Sequence, residues 1–275
     1  MRSALGLISI AALLAPGSAL AEERPHPRTD YTAYTRGAGR ASVGLFKLEM
    51  GLLDQVTLGT YLPLWFTSPV IGVPVPNAYL KIGQNWGDSV AIATRAGFTF
   101  IDGEGVAYLA DQDTSASGAI YAIEVDGTVR VSSRISLSLG VDYNHVSAVG
   151  DTEQLATSIE GASTSDTWSA RLLSEWHLSQ AFAINVLVRT LIYQSPLNAD
   201  FDSDSEILRV EGDLSGESSR RRRFSVVPGL SYEGAHWEFT LGVGYGVAYL
   251  PVVGLPTTKS WPVVDLGFSY NFDIY

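Results

Sequence analysis

From residue 41 to the C-terminus, apolar and polar side chains alternate with a period of two in one segment after another: 41–50, 56–66, 78–85, 89–101, 119–131, 135–146, 167–177, 181–193, 222–232, 237–249 and 262–274. In 135–146, Ile135, Leu137, Leu139, Val141 and Tyr143 oppose Ser136, Ser138 and Asp142. In 237–249, Trp237, Phe239, Leu241, Val243, Tyr245, Val247 and Tyr249 oppose Glu238 and a row of Thr and Gly. Side chains of a strand point alternately to its two faces, so a chain written this way predicts sheet with two unlike faces. Segments near ten residues are long for a sandwich, whose strands run about 5–6 residues. They match a tilted strand crossing a bilayer.

The connections alternate in length. Gly51–Gln55, Trp86–Asp88, Ser132–Arg134, Leu178–Gln180 and Glu233–His236 are short; Thr67–Asn77, Asp102–Gly118, Ser147–Asp166, Gln194–Arg221 and Leu250–Trp261 are long. Short turns on one side and long loops on the other are the pattern of a transmembrane barrel. An even strand count calls for one more strand, and Asp30–Thr35 is the candidate. The predicted fold is all-β: a single up-and-down antiparallel transmembrane barrel of twelve strands, within a range of ten to twelve, over residues 30–275. The tryptophans agree. Trp86, Trp176 and Trp237 lie beside short turns, and Trp65, Trp168 and Trp261 beside long loops, as two aromatic girdles at the membrane interfaces require. The competing architecture is a secreted β-sandwich, whose apolar face points into a core.

Residues 1–21 read as a cleaved secretory signal peptide. Arg2 gives a positive start, Leu5–Ala15 an apolar run, and Ala19-Leu20-Ala21 the cleavage pattern. Residues 22–29 form a short lead. The net charge of −11 argues against a nucleic-acid partner. The absence of cysteine excludes disulfides and thiolate chemistry.

The terminal strand, Leu266-Gly-Phe-Ser-Tyr-Asn-Phe-Asp-Ile-Tyr275, the signal peptide and the whole-chain alternation together resemble a bacterial outer-membrane β-barrel protein. Such proteins end in an aromatic residue on an amphipathic strand. The resemblance implies location in the bacterial outer membrane, with lipids of that membrane and the barrel-assembly machinery as partners. Here the apolar residues fall on even positions, out of phase with Tyr275. The resemblance is to the class and names no subfamily, oligomeric state or activity.

The polar phase of the alternation places Lys47, Glu49, Lys81, Arg95, Glu124, Arg130, Arg171, Glu175, Arg189 and Glu238 on the inner face, with Asp142 and Asp265. Two readings of such a lumen stand. It is a narrow porin-like pore for small hydrophilic solutes, or a non-conducting structural or interaction barrel closed by paired charges. Eight strands are filled by side chains and sixteen leave a channel, and twelve lies between.

The outer connections are acidic. Asp200-x-Asp202-x-Asp204-x-Glu206 resembles the start of a calcium loop, but lacks the glycine and terminal Glu of that motif, and no metal or other cofactor is assigned. Arg220–Arg223 follow, suited to lipid phosphates or to the acidic loop itself. His145-x-Ser147 places a base and a hydroxyl on one strand face, as in some outer-membrane lipid hydrolases. No third group to orient the histidine is evident, so no catalytic residue is assigned and the chain is read as a non-enzyme.

Overall fold

The computed structural model describes residues 30–65, 75–87, 89–101, 114–154, 157–179, 181–195, 197–205, 210–216, 224–249 and 256–274. Residues 1–29, where the signal peptide and lead are expected, as well as Glu206, Arg220–Arg223 and Tyr275, lie outside these residues. No described helix is long and apolar enough to cross a membrane.

The strands are β1 (Arg40–Gly44), β2 (Lys47–Leu53), β3 (Val56–Tyr61), β4 (Asn77–Trp86), β5 (Val90–Ile101), β6 (Thr114–Ser132) and β7 (Ile135–Gln154). They continue with β8 (Thr157–His177), β9 (Phe182–Gln194), β10 (Leu197–Ser205), β11 (Val210–Gly216), β12 (Phe224–Glu233), β13 (Trp237–Tyr249) and β14 (Pro256–Asp273). Every pairing is antiparallel. Nine strands follow in order from β1 to β9, β12 to β14 complete the ring, and β1 pairs with β14 (Ala41 opposite Phe272). This is a closed twelve-stranded barrel. β10 and β11 stand outside the ring as a hairpin, hydrogen-bonded to the far part of β8 (Asp202 opposite Glu160).

The lipid face is the apolar phase of the alternation. Tyr121, Ile123, Val125, Val129 and Val131 of β6 are exposed, while Glu124, Asp126 and Thr128 between them are buried. Most large apolar side chains therefore point outward and the polar ones inward, the reverse of a water-soluble domain. Trp86, Trp176 and Trp237 are exposed at the short-turn end, and Trp65 and Trp168 toward the other end. Trp261 is in β14, its side chain outside the described residues.

Several expectations are corrected, among them the long connection Gln194–Arg221, which contains β10 and β11. Asp30–Thr35 is not a strand. It runs inside the barrel, with Thr32 and Ala33 fully buried. The missing wall strand comes from 41–50, which is two strands joined at Leu45–Phe46. The reason is a change of phase, because Val43 and Leu45 face outward on odd numbers and Leu48 and Met50 on even ones.

The segment 56–66 stops at Tyr61 and passes into a helical turn, Leu62–Trp65, in which Pro63 cannot donate to a ladder. Much of the supposed loop 147–166 is strand. β7 and β8 stay paired out to Gln154 and Thr157. That sequence lacks a continuous apolar face, and its backbone ladder runs unbroken. Val247 also leaves the lipid face and is buried. Gly246, at φ 143°, turns the strand there, next to a bulge.

Candidate functional site: a charged and partly filled lumen

Residues 30–36 lie within the ring. Gly37 and Gly39, both at positive φ, reverse the chain at the short-turn end so that it can enter β1. The segment is fastened along its length. Lys81 Nζ donates to the Thr32 carbonyl at 2.7 Å. The Ala33 N–H donates to Thr128 Oγ1 at 2.8 Å, and the Arg36 N–H to Thr57 Oγ1 at 2.9 Å.

The Arg36 guanidinium is the main anchor. Its Nε donates to Glu49 at 2.7 Å, and its Nη1 to Glu238 at 2.6 Å and to Asn271 at 3.0 Å. Glu49 also accepts from Lys47 at 2.9 Å and from Tyr79 Oη at 2.7 Å, and Lys47 reaches Asp30. Glu238 accepts further from Ser269 and Asn271. Buried charges persist only when paired and hydrogen-bonded, and this cluster meets both conditions.

A second network crosses β5 to β8. Arg171 bonds Asp126 at 2.5 Å and also holds Glu124 and Asp142, while Arg95 binds Glu124. Gly140 makes room for it. A Cβ there would lie 2.6 Å from Asp126 Oδ1 and 2.7 Å from Arg171 Cζ.

Of the other inner-face residues, Glu175 accepts from Ser136 at 3.1 Å, and Arg189 stacks on the Tyr31 ring, 4.5 Å from its centroid. The Arg130 Nε is buried and has no hydrogen-bond partner among the described residues, and Asp265 borders the cavity.

That cavity measures about 510 Å³, and Tyr31, Arg95, Glu124, Arg171, Arg189 and Glu238 are among its lining. Arg36, Asp126, Asp30 and Tyr31 are functional candidates that the sequence reading missed. Asp126 shares the even phase of Glu124 and Arg130, so its position was readable. Arg36, in an irregular segment, carried no periodic signal.

One wall of the lumen is apolar. Leu173, Leu187 and Val227 are buried together, with Tyr31 and Val263 packed on them.

At the far end of the barrel, His145 Nδ1 lies 2.9 Å from Asp166 Oδ1, and Tyr143 Oη donates to the same carboxylate at 2.6 Å. An orienting partner for His145 therefore exists, against expectation. These bonds, that of Tyr143 first, hold the Asp166 carboxyl below its usual range. Ser147 faces outward with His145 but forms no hydrogen bond with it among the described residues. No group of three or more His, Asp or Glu side chains placed to hold a metal ion occurs among the described residues. Asp200, Asp202 and Asp204 are in β10 with their side chains outside them.

The architecture is that of an outer-membrane β-barrel. The structure is similar to the translocator domain of the autotransporter NalP from Neisseria meningitidis, at 10% identity over 84% of this chain and 83% of that one, with a TM-score of 0.47. It is similar to the P. putida toluene transporter TodX, at 12% identity over 92% and 71%, with a TM-score of 0.46. LpxR from Salmonella typhimurium matches at 7% identity over 76% and 95%, with a TM-score of 0.30. No family model and no curated protein matches the sequence.

Proposed function

We propose that the chain is a narrow channel of the bacterial outer membrane for the passive passage of small hydrophilic solutes, partly filled by its own residues 30–36. The observation that carries this reading is the cavity of about 510 Å³ inside a closed barrel, bordered by charges of both signs. The paired charges line the path with groups that can exchange hydrogen bonds with a hydrophilic solute. No catalytic step is assigned. Planar-bilayer recording of the purified protein tests the reading. Discrete conductance steps are expected. Silence both in the full chain and after removal of residues 22–36 overturns it.

A second reading has one observation in its favour. β6, β7 and β8 extend past Trp168 and, with β10 and β11, form a standing sheet rich in Asp and Glu. Such a sheet suits an interaction barrel that presents an acidic surface.

A further inference from the structure

The ion pairs of the lumen have a direction. The cations Arg36, Lys47 and Arg171 each have a carboxylate partner that is more exposed than the cation itself. Arg36 has 3% of its side chain exposed and Glu238 has 14%. Lys47 has 11% and Asp30 has 41%. Arg171 has 2% and Asp142 has 19%. The inner partners Glu49 and Asp126 are as buried as the guanidinium groups they neutralise, so they balance charge without reaching the open space. Arg95 is the exception, more exposed than Glu124. It lies over the Tyr79 ring, 5.3 Å from the centroid. These three pairs thus hold their cation against the wall and turn a carboxylate toward the path.

The balance around the cavity has the same sign. Six acids border it, Asp30, Glu124, Asp142, Glu233, Glu238 and Asp265. Four bases do so, Lys47, Arg95, Arg171 and Arg189. Behind this lining, the buried Arg36 and Lys81 are matched in number by the buried Glu49 and Asp126. The outer connections repeat the bias, since 102–118 and 147–166 carry four acids each and no Lys or Arg. A cleft lined by one sign of charge concentrates ions of the other sign, and acidic side chains around a pore favour cations.

Aromatic rings share the cavity. Tyr31, Tyr61 and Tyr79 border it together with the carboxylates. Guanidinium groups of the protein already use two of these rings, Arg95 over Tyr79 and Arg189 over Tyr31, the latter at 4.5 Å. Tyr61 packs against Tyr79 with centroids 5.1 Å apart. A ring face attracts a cation, and attracts it more strongly where water is scarce. A compact organic cation therefore finds carboxylate and ring in one chamber, whereas an anion finds its natural partners already held by carboxylates.

We propose that the lumen selects small cations over anions, and guanidinium-type ions over alkali-metal ions. This rests on the lumen being a conducting path.

Reversal potentials in planar bilayers test it, first across a KCl gradient and then with guanidinium chloride facing KCl. The protein is expected to favour K+ over Cl− severalfold, and guanidinium over K+ by more than their mobilities in free solution allow. Asp142→Asn leaves Arg171 with Glu124 and Asp126 and should lower the cation preference, while Asp142→Glu should retain it. Tyr61→Leu should lower the guanidinium-to-K+ ratio. A reversal potential at zero or on the chloride side overturns cation selection and leaves the channel standing. A guanidinium-to-K+ ratio no higher than in free solution overturns the role of the rings. Silence in the full chain and after removal of residues 22–36 fells the channel reading itself, and this one with it. Where only the shortened chain conducts, the same ratios are read there, since Asp30 and Arg36 leave together and the charge difference around the cavity is kept. Should a variant fail to fold, the ratios of the unaltered protein decide.

Discussion

Arg171 shows how tightly single residues are constrained in a lumen of this kind. It is enclosed by Glu124, Asp126 and Asp142, with only 2% of its side chain exposed. Removing one partner of a buried ion pair costs about 3–5 kcal/mol, because the other charge is left unpaired. Arg171→Met is expected to destabilise the barrel by about that much, measured by urea unfolding in micelles. Adding Asp126→Asn and Asp142→Asn to it should recover most of the loss. At the far rim, Asp166 has its carboxyl pKa lowered by Tyr143 and then His145. A lowered pKa contributes stability above the ordinary carboxylate range, and that stability is lost as pH falls through the lowered value. Tyr143→Phe should therefore move the Asp166 titration upward, toward the ordinary range, in carboxyl-carbon NMR. Asp126 was legible from its phase in β6. The Arg171 cluster was not, because it depends on Gly140 leaving space that only the paired strands reveal.

At the scale of elements, the legible strands are those with a lipid face. Alternation marks them because water-averse side chains must recur every second residue there. Where no lipid is faced, that requirement lapses. The outer parts of β7 and β8 are polar on both sides and read as loops, although their ladder is continuous. The β10–β11 hairpin does alternate, with Leu197, Ala199 and Phe201 in phase with Leu214 and Val210, and goes unread among its acidic residues. The short β1–β2 hairpin was legible in principle from the phase change between Leu45 and Leu48. Residues 30–36 have no period, since they are held by individual bonds. Those bonds predict how the segment yields. Arg36→Ala removes the guanidinium from Glu49, Glu238 and Asn271. Single-channel conductance is expected to rise severalfold. An unchanged value would mean that the segment does not limit flow.

For the whole molecule, a closed ring with an apolar exterior predicts heat-modifiable migration. Unboiled protein in detergent should run apart from boiled protein, with a β-rich circular dichroism spectrum only in the former. The ring is unequal in strength. β7 and β8 pair from Ile135–Trp176 out to Gln154–Thr157, whereas β1 and β14 pair only over Arg40–Gly44. A disulfide between cysteines at Val43 and Tyr270, opposite one another on this seam, should raise the temperature of the mobility shift. The same link between Leu139 and Leu172 should leave it unchanged.

The brief seam also joins the two ends of the barrel sequence, Arg40 with Asp273. The ring cannot shut until β14 has been synthesised. Until then β1 has a partner on one flank only. Contacts between such remote segments form slowly, because a loop of nearly the whole chain must close first. The native ring is therefore a late product of folding, completed only when its two most remote strands have met.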